Sequence, residues 1–341
     1  MVTNIYRDAH ELLFEQLSAE QIRHWLVPLG FADWQATYRR LLRIAQNSPE
    51  SGGERALANM LPYLLPMLAE TSNPDRVLVY LERFLNGSTP RRTPLSFLSG
   101  NLRATEILIR LFDGSQFLTE ILLRTPEYFD LLLEHRRLAQ PKTIEQFCTD
   151  LAAAQAANCS ADRLDVLRRF QRWELLRIGT CDLLDLFDLP IITIQLSNLA
   201  DSLVGACLTI AAEKTGIAPA DFVVLALGKL GGQELNYSSD IDLLFLADTT
   251  SERLKTLGER LIDGLTRVTG EGFLYRVDMR LRPWGHSGPL VTSVDGYLAY
   301  LKQHARIWEK QALLKARVVA GDDALGQVFL DRAGPLIFDV R

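Results

Sequence analysis

Apolar positions recur at helical spacing through the N-terminal part of the chain, and strand-like runs enter only in its second half. Leu61, Leu64, Leu65 and Leu68 share one helical face, as do Val77, Leu81, Phe84 and Leu85 in the next segment. Asn73-Pro74 predicts a helix start, with asparagine as the cap and proline in the first turn. Gly87 to Pro94 is rich in breakers and reads as a loop, whereas Gln116 to Glu134 is again apolar-periodic, interrupted at Thr125-Pro126. Residues 1–137 therefore read as all helix, an array of short antiparallel helices without an internal repeat. The best linker is Ala139–Thr143, around Pro141. It divides a helical region over 1–138 from a second domain over 139–341.

The helical pattern resumes from Ile144 to Lys214, with Leu164, Leu167, Leu175, Leu176 and Ile178 as a buried stripe. Arg168, Arg169, Arg172 and Arg177 fall largely off that stripe. The first three read better as salt-bridge partners than as catalytic groups. A mixed unit follows: strands over 222–227 and 241–247, a helix over 252–269, and a strand over 273–281. Helices are expected over 293–306, 307–319 and 323–331. The predicted fold class is α+β, a small mixed sheet flanked by helices on both sides in sequence.

The chemistry concentrates where the first two strands are joined, in Leu-Gly-Lys-Leu-Gly-Gly-Gln-Glu-Leu-Asn-Tyr-Ser-Ser-Asp-Ile-Asp over 227–242. Side chains alternate across a strand, so Asp240 and Asp242 project to one face and Ile241 to the other. Two neighbouring carboxylates in an apolar strand repel unless a cation lies between them. Hard divalent ions such as Mg²⁺ take such oxygen ligands and share them with substrate phosphates. Gly228, Gly231 and Gly232 allow backbone N–H groups close to phosphate, with Lys229 and Ser239 beside them. The stretch reads as a metal-dependent site for a nucleoside triphosphate.

A third acid comes from Gly-Phe-Leu-Tyr-Arg-Val-Asp-Met-Arg-Leu-Arg-Pro over 272–283. As a regular strand, this segment puts Arg276, Asp278, Arg280 and Arg282 on one face. Asp278 then joins Asp240 and Asp242 on the metal, while arginines hold phosphate oxygens. Arg280 and Arg282 serve equally as neutralisers of the acid cluster. His286 reads as an exposed loop residue, Trp308 as core and Glu309 as structural. Lys315 and Arg317 are expected on an amphipathic helix, either solvated or beside the nucleotide.

At these residues the chain resembles the nucleotidyltransferase superfamily, and more narrowly the glutamine synthetase adenylyltransferase/deadenylylase family. The resemblance rests on Gly228-Lys229-Leu230-Gly231-Gly232, Glu234-Leu235-Asn236, Ser238-Ser239-Asp240-Ile241-Asp242-Leu243, Val277-Asp278-Met279-Arg280-Leu281-Arg282-Pro283, Trp308-Glu309 and Lys315-Ala316-Arg317. It is strong from about Arg168 to Asp322. Lys229 stands where many members of the superfamily carry serine, a departure shared by the narrower family. The resemblance implies a nucleotidyltransferase-type sheet whose catalytic strands lie at about 222–283. It implies Asp240, Asp242 and Asp278 as catalytic metal ligands for two Mg²⁺ ions. Gly228, Lys229, Gly231, Gly232, Ser239, Arg280, Arg282 and Lys315 become nucleotide-binding residues, with ATP, ADP and phosphate as substrates. It also implies glutamine synthetase as the protein substrate and a PII-type signal protein as a partner, in the regulation of nitrogen assimilation.

Full-length members of that family carry two such domains, one removing AMP from a tyrosine by phosphorolysis and one attaching it from ATP. This chain holds one set of motifs. Arg282–Val291 is more similar to the AMP-removing domain, while Trp308–Leu313 and Ala316–Asp322 lean toward the attaching one. Removal is the favoured direction. ATP-dependent attachment, or a non-catalytic module that binds nucleotide or partner, is the alternative. The apolar run before Arg341 is expected to continue into packed structure, so the chain reads as a piece of a longer protein.

Composition adds bounds. Apolar residues form 48% of the 341, ordinary for a globular chain with a sizeable core. A net charge of −5 supplies no basic field for nonspecific nucleic-acid binding. Cys148, Cys159, Cys181 and Cys207 show no metal-ligand spacing and read as reduced thiols. The chain has no signal-peptide pattern and no uninterrupted apolar span of about 18 residues. A cytoplasmic protein without membrane contact is expected.

Overall fold

The computed structural model describes residue 13 and residues 17–47, 52–87, 95–134 and 138–338. By its internal contacts the chain divides into two compact units, 1–140 with 179–186, and 141–178 with 187–341.

The first unit is helical throughout its described residues. Its helices are α1 (Ala19–Leu26), α2 (Trp34–Gln46), α3 (Gly53–Ala69), α4 (Pro74–Asn86), α5 (Leu95–Gly100), α6 (Leu102–Gly114), α7 (Gln116–Arg124) and α8 (Glu127–Glu134). The expected start at Asn73-Pro74 is present. The Asn73 side chain accepts a hydrogen bond from the backbone N–H of Arg76, satisfying one donor that the helix cannot pair internally. Leu61, Leu64, Leu65 and Leu68 are fully buried along α3. Phe84 meets Phe129 edge-on at 5.6 Å between ring centres. Of the loop read at 87–94, only Gly87 lies within the described residues.

The second unit opens with α9 (Ile144–Ala157), α10 (Arg163–Leu183, whose last turn is counted with the first unit) and α11 (Leu189–Thr215). Helix α11 is long and apolar enough to cross a membrane, but most of it is buried inside the protein, as a core helix would be. Strand β1 (Phe222–Leu227) runs into a short helix α12 (Gly228–Gly231), and β2 (Ile241–Ala247) returns antiparallel beside β1. Helix α13 (Glu252–Thr266) leads to β3 (Val277–Asp278) and β4 (Val291–Ser293). Both pair parallel with β2, β3 at Ile241–Asp242 and β4 at Phe245–Ala247. Then come α14 (Val294–Gln303), α15 (Ile307–Ala312), β5 (Arg317–Gly321) and α16 (Asp323–Phe338). β5 lies antiparallel on the other edge of β1, so the order is β3-β2-β1-β5.

This is the expected small mixed sheet. β1 is buried at every position because helices cover both faces, which is why its sequence is a continuous apolar run rather than an alternating one. On one face Val223, Leu225, Leu244 and Leu246 pack with Tyr297, Leu301 and Phe329 of α14 and α16. On the other, α13 comes close enough that a side chain at Gly258 would press the Phe245 ring.

Two elements differ from expectation. The strand read over 273–281 is regular only at Val277–Asp278. The Asp278 carboxylate accepts the backbone N–H of Arg280 at 2.8 Å and bends the chain into a turn. Pro283 then brings no N–H to a ladder, and the chain rejoins β2 only at β4. The helix read over 307–319 ends at Ala312, and Arg317–Gly321 is strand. β1 needed a partner on its free edge, and the β-branched pair Val318-Val319 suits one. Trp308, read as core, is 51% exposed on a helix without buried residues.

The arginines on α10 also differ. Arg168 and Arg177 are fully buried. Arg177 pairs with buried Glu174 at 2.7 Å, while Arg168 forms a salt bridge with Asp165 at 2.9 Å, in keeping with the reading, and also donates to the carbonyl of Arg267 at 2.9 Å. Arg169 and Arg172 bond Glu271, as the salt-bridge reading expected.

Leu244→Ala, at a fully buried position in the middle of β2, is expected to lower unfolding free energy by about 2–5 kcal/mol. Val319→Ala, on the half-buried strand β5, should cost less. Urea titrations followed by circular dichroism check the ranking.

Candidate active site

β2 begins at the point where three pieces of chain meet. In the sheet register Asp242 lies opposite Leu227 on β1 and Asp278 on β3. Leu227 ends β1, so the residue after it, Gly228, comes down onto the Asp242 carboxylate. Gly228 has φ +56°, and a Cβ built there would collide with Asp242 Oδ2. Only glycine fits this corner, for both backbone and space.

From Gly228 the chain makes one helical turn. The Glu234 N–H donates to the Lys229 carbonyl at 2.8 Å, and Gln233 takes a left-handed φ of +54°. A Cβ at Gly231 would run into the carbonyls of Lys315 and Ala226, so the turn lies flat on the start of β5. The Lys229 ammonium donates to Ser239 Oγ at 3.4 Å, and Ser239 donates to Asn236 Oδ1 at 2.7 Å. Lys315, in the turn before β5 rather than on a helix, pairs with Glu234 at 2.7 Å.

The three acids expected at the site are brought to one end of the sheet, each with different company. Asp242 is half-buried, and no ion pair to it is formed among the described residues. Its carboxyl is held above the usual range by burial first and by the charges of Asp278 and Asp240 second; Arg280 and Lys229 offset this in part. Asp278 is held below the usual range by hydrogen bonds from the Arg280 guanidinium, at 2.8 and 3.0 Å from Nε and 2.5 Å from Nη2. Asp240, just before β2, accepts from Arg276 Nε at 2.5 Å.

Among the described residues no three acids, histidines or cysteines stand grouped as a metal cluster, since Asp240 and Asp278 are each turned to an arginine. The donor set nevertheless fits a hard divalent cation. It consists of carboxylate oxygens gathered at the end of one strand pair, with Asp242 raised by burial first and by the neighbouring acids second.

Arg282 stands apart from the acids. It donates to the carbonyls of Met279, Gly288 and His286 at 3.1, 3.3 and 3.3 Å, and so ties together the loop over 279–290. Within that loop Trp284 takes a left-handed φ of +63° and stands 57% exposed, with Tyr300 and His304 against its ring at 4.9 and 5.0 Å. Two side chains have partners that sequence reasoning did not assign. Arg276 was visible, by strand alternation, as a neighbour of Asp278, yet its partner is Asp240. Asp201 on α11 is 8% exposed and binds Arg317; its one sequence signal is an acid in the middle of a largely apolar helix.

The chain matches the sequence profile of the glutamate-ammonia ligase adenylyltransferases over residues 105–332, and it belongs to that family. It is 33% identical over 319 residues to a bifunctional glutamine synthetase adenylyltransferase/adenylyl-removing enzyme of Chromobacterium violaceum, covering 89% of this chain and 36% of the relative. Proteins of the same name from Pseudomonas aeruginosa and Streptomyces avermitilis are 30% and 32% identical; the alignments cover 90% and 89% of this chain, and 34% and 32% of the relatives. The chain thus spans about a third of the length of these relatives.

The two acids at the strand ends should respond oppositely to pH in cation-free buffer. Asp242, raised in the fold, contributes stability that is full below the unfolded value of about 3.9 and is lost as pH rises through its folded value. Asp242→Asn should therefore melt higher than the parent at pH 7, with the gap closing toward pH 4. Asp278, lowered in the fold, contributes stability above the unfolded value that is lost as pH falls through its folded value. Asp278→Asn should melt lower at pH 7, with that gap closing in acid. Melts of the three proteins from pH 3 to pH 8 check both signs.

Proposed function

We propose that this chain is an enzyme that removes AMP from a tyrosine of glutamine synthetase by phosphorolysis, releasing ADP. The observation that carries the reading is the meeting of Asp242, Asp278 and the Gly228–Gly232 turn at one strand end, in a chain of this family. The relatives' names cover both attachment and removal of an adenylyl group. The similarity of Arg282–Val291 to the AMP-removing domain favours removal here.

In this reaction an oxygen of inorganic phosphate attacks the adenylyl phosphorus. The new phosphorus–oxygen bond forms as the bond to the tyrosine oxygen breaks, and the proton of the phosphate ends on the phenolate. Asp240, Asp242 and Asp278 would hold Mg²⁺, two ions on the family pattern, which when bound supplies positive charge to the phosphoryl oxygens.

The chain's own groups do the rest. Lys229, beside Asp242 and Ser239, gives a point charge to a phosphate oxygen. Gly228, Gly231 and Gly232 keep the turn close to it. Arg280 is 67% exposed and free to reorient from Asp278 to a phosphate. Arg282 keeps the loop over 279–290 in shape, and the Lys315–Glu234 pair flanks the turn. The working compartment on this reading is the cytoplasm, and the net charge of −5 gives no support for a nucleic-acid partner.

ATP-dependent attachment remains the second reading, favoured by the likeness of Trp308–Leu313 and Ala316–Asp322 to the attaching domain. Given adenylylated glutamine synthetase and Mg²⁺, the protein should release ADP only when inorganic phosphate is added. It should place little label from α-labelled ATP on unmodified glutamine synthetase. Strong labelling without phosphate dependence reverses the direction, and nucleotide binding with neither reaction leaves a binding module. Asp242→Asn should slow the reaction by about 100-fold or more while remaining folded.

A further inference from the structure

The polar residues of α11 have no place in the reaction as described. Gln195, Ser197, Asn198 and Asp201 are 1%, 0%, 8% and 8% exposed in a largely apolar helix. Burying such groups is costly unless each is hydrogen-bonded, and their bonds go to two places. Gln195 holds the start of the unit, accepting from the Lys142 N–H at 2.9 Å and donating to its carbonyl at 2.7 Å.

The other three, one turn further on, share the face given by spacings of three and four. All of them reach the chain around the glycine turn. Ser197 Oγ accepts from the Leu235 N–H at 3.3 Å, and Asn198 Oδ1 accepts from Gln233 Nε2 at 3.4 Å. Asp201 grips the Arg317 guanidinium with both oxygens, at 2.6 and 2.9 Å. Arg317 Nη2 then donates to the Leu230 carbonyl at 3.0 Å.

Leu230 follows Lys229 directly, so this bond fixes the Leu230–Gly231 peptide, one residue beyond the lysine. From below, the Lys315 carbonyl closes on Gly231. The turn is thus pinned on both flanks by a rigid helix and a sheet strand. The pair is kept against opposing costs. Burial pushes the Asp201 carboxyl up despite Arg317, and Arg317 Nε has no hydrogen-bond partner among the described residues. An ion pair with a purely stabilising role gains little in such a place.

We infer that Asp201 and Arg317 are positioning residues for the nucleotide site: through the Leu230 carbonyl they set the Lys229 turn in the posture that binds phosphate. The inference rests on the proposed role of Lys229 in holding a phosphate oxygen.

The test is titration calorimetry of the full chain with ADP and Mg²⁺, with circular dichroism to verify the fold of each variant. Arg317→Met and Asp201→Asn should each weaken ADP binding by about tenfold, the scale of one lost hydrogen bond to a charged group. If one of them fails to fold, the other carries the measurement, and Arg317→Lys, which keeps the charge but not the fork, should show an intermediate loss. In a Lys229→Ala background the same substitutions should add less than about twofold, because their effect runs through the lysine. A merely structural pair would lower the melting temperature and leave ADP affinity unchanged in the folded protein, or add its full loss to Lys229→Ala; either result overturns the inference. Loss of affinity in Lys229→Ala with none in Arg317→Met removes this inference alone. Unchanged affinity in Lys229→Ala removes the phosphate reading of the turn, and this inference with it.

Discussion

The site depends on the electrostatic tension of Asp242. Its strand is otherwise apolar, its neighbours across the register are Asp278 on one side and Leu227, which leads into the Gly228 corner, on the other, and its carboxylate has no ion-pair partner among the described residues. Everything around it limits that tension. Arg280 and Arg276 take up Asp278 and Asp240, and Lys229 contributes its charge from the turn. Three cationic side chains are thus gathered around the carboxylates at the end of one strand pair.

Apolar burial is what makes the tension sustainable. β1 and β2 are covered on both faces, so the strand ends cannot move apart to relieve repulsion. The same covering explains what the sequence made legible. Apolar runs delimit strands at 222–227 and 241–247, the second broken only by Asp242 near its start, and the structure has strands over those residues. Helices with an amphipathic stripe and a cap, such as the one starting after Asn73, were equally plain.

What escaped reading was decided by distant partners. The period-2 pattern over 272–283 is genuine, but the Asp278 carboxylate bends the backbone by taking the Arg280 N–H, a bond that alternation does not encode. Arg317–Gly321 follows a helix and has too short a pattern to reveal itself; only the vacant edge of β1 makes it a strand. The burial of Arg168 and Arg177, off the apolar stripe, was not legible, because it depends on the carbonyls and acids that meet them in the fold. Of the site, the three acids and the glycine turn were apparent from spacing. Asp201 was not, since its partner lies more than a hundred residues further on.

β3 and β4 stand on the same edge of β2 and run in the same direction. The segment over 279–290 is therefore an excursion that leaves one strand edge and returns to it, with both feet set by the same neighbour. Its first residues are fixed by the bonds of Arg280 to Asp278, so a change of length or composition that leaves the register of Asp242 against Asp278 intact belongs to its exposed part around Trp284. Evolution is thereby given a replaceable part beside a fixed one: a family carrying this sheet can diverge in what it admits to the acids while inheriting the acids unchanged.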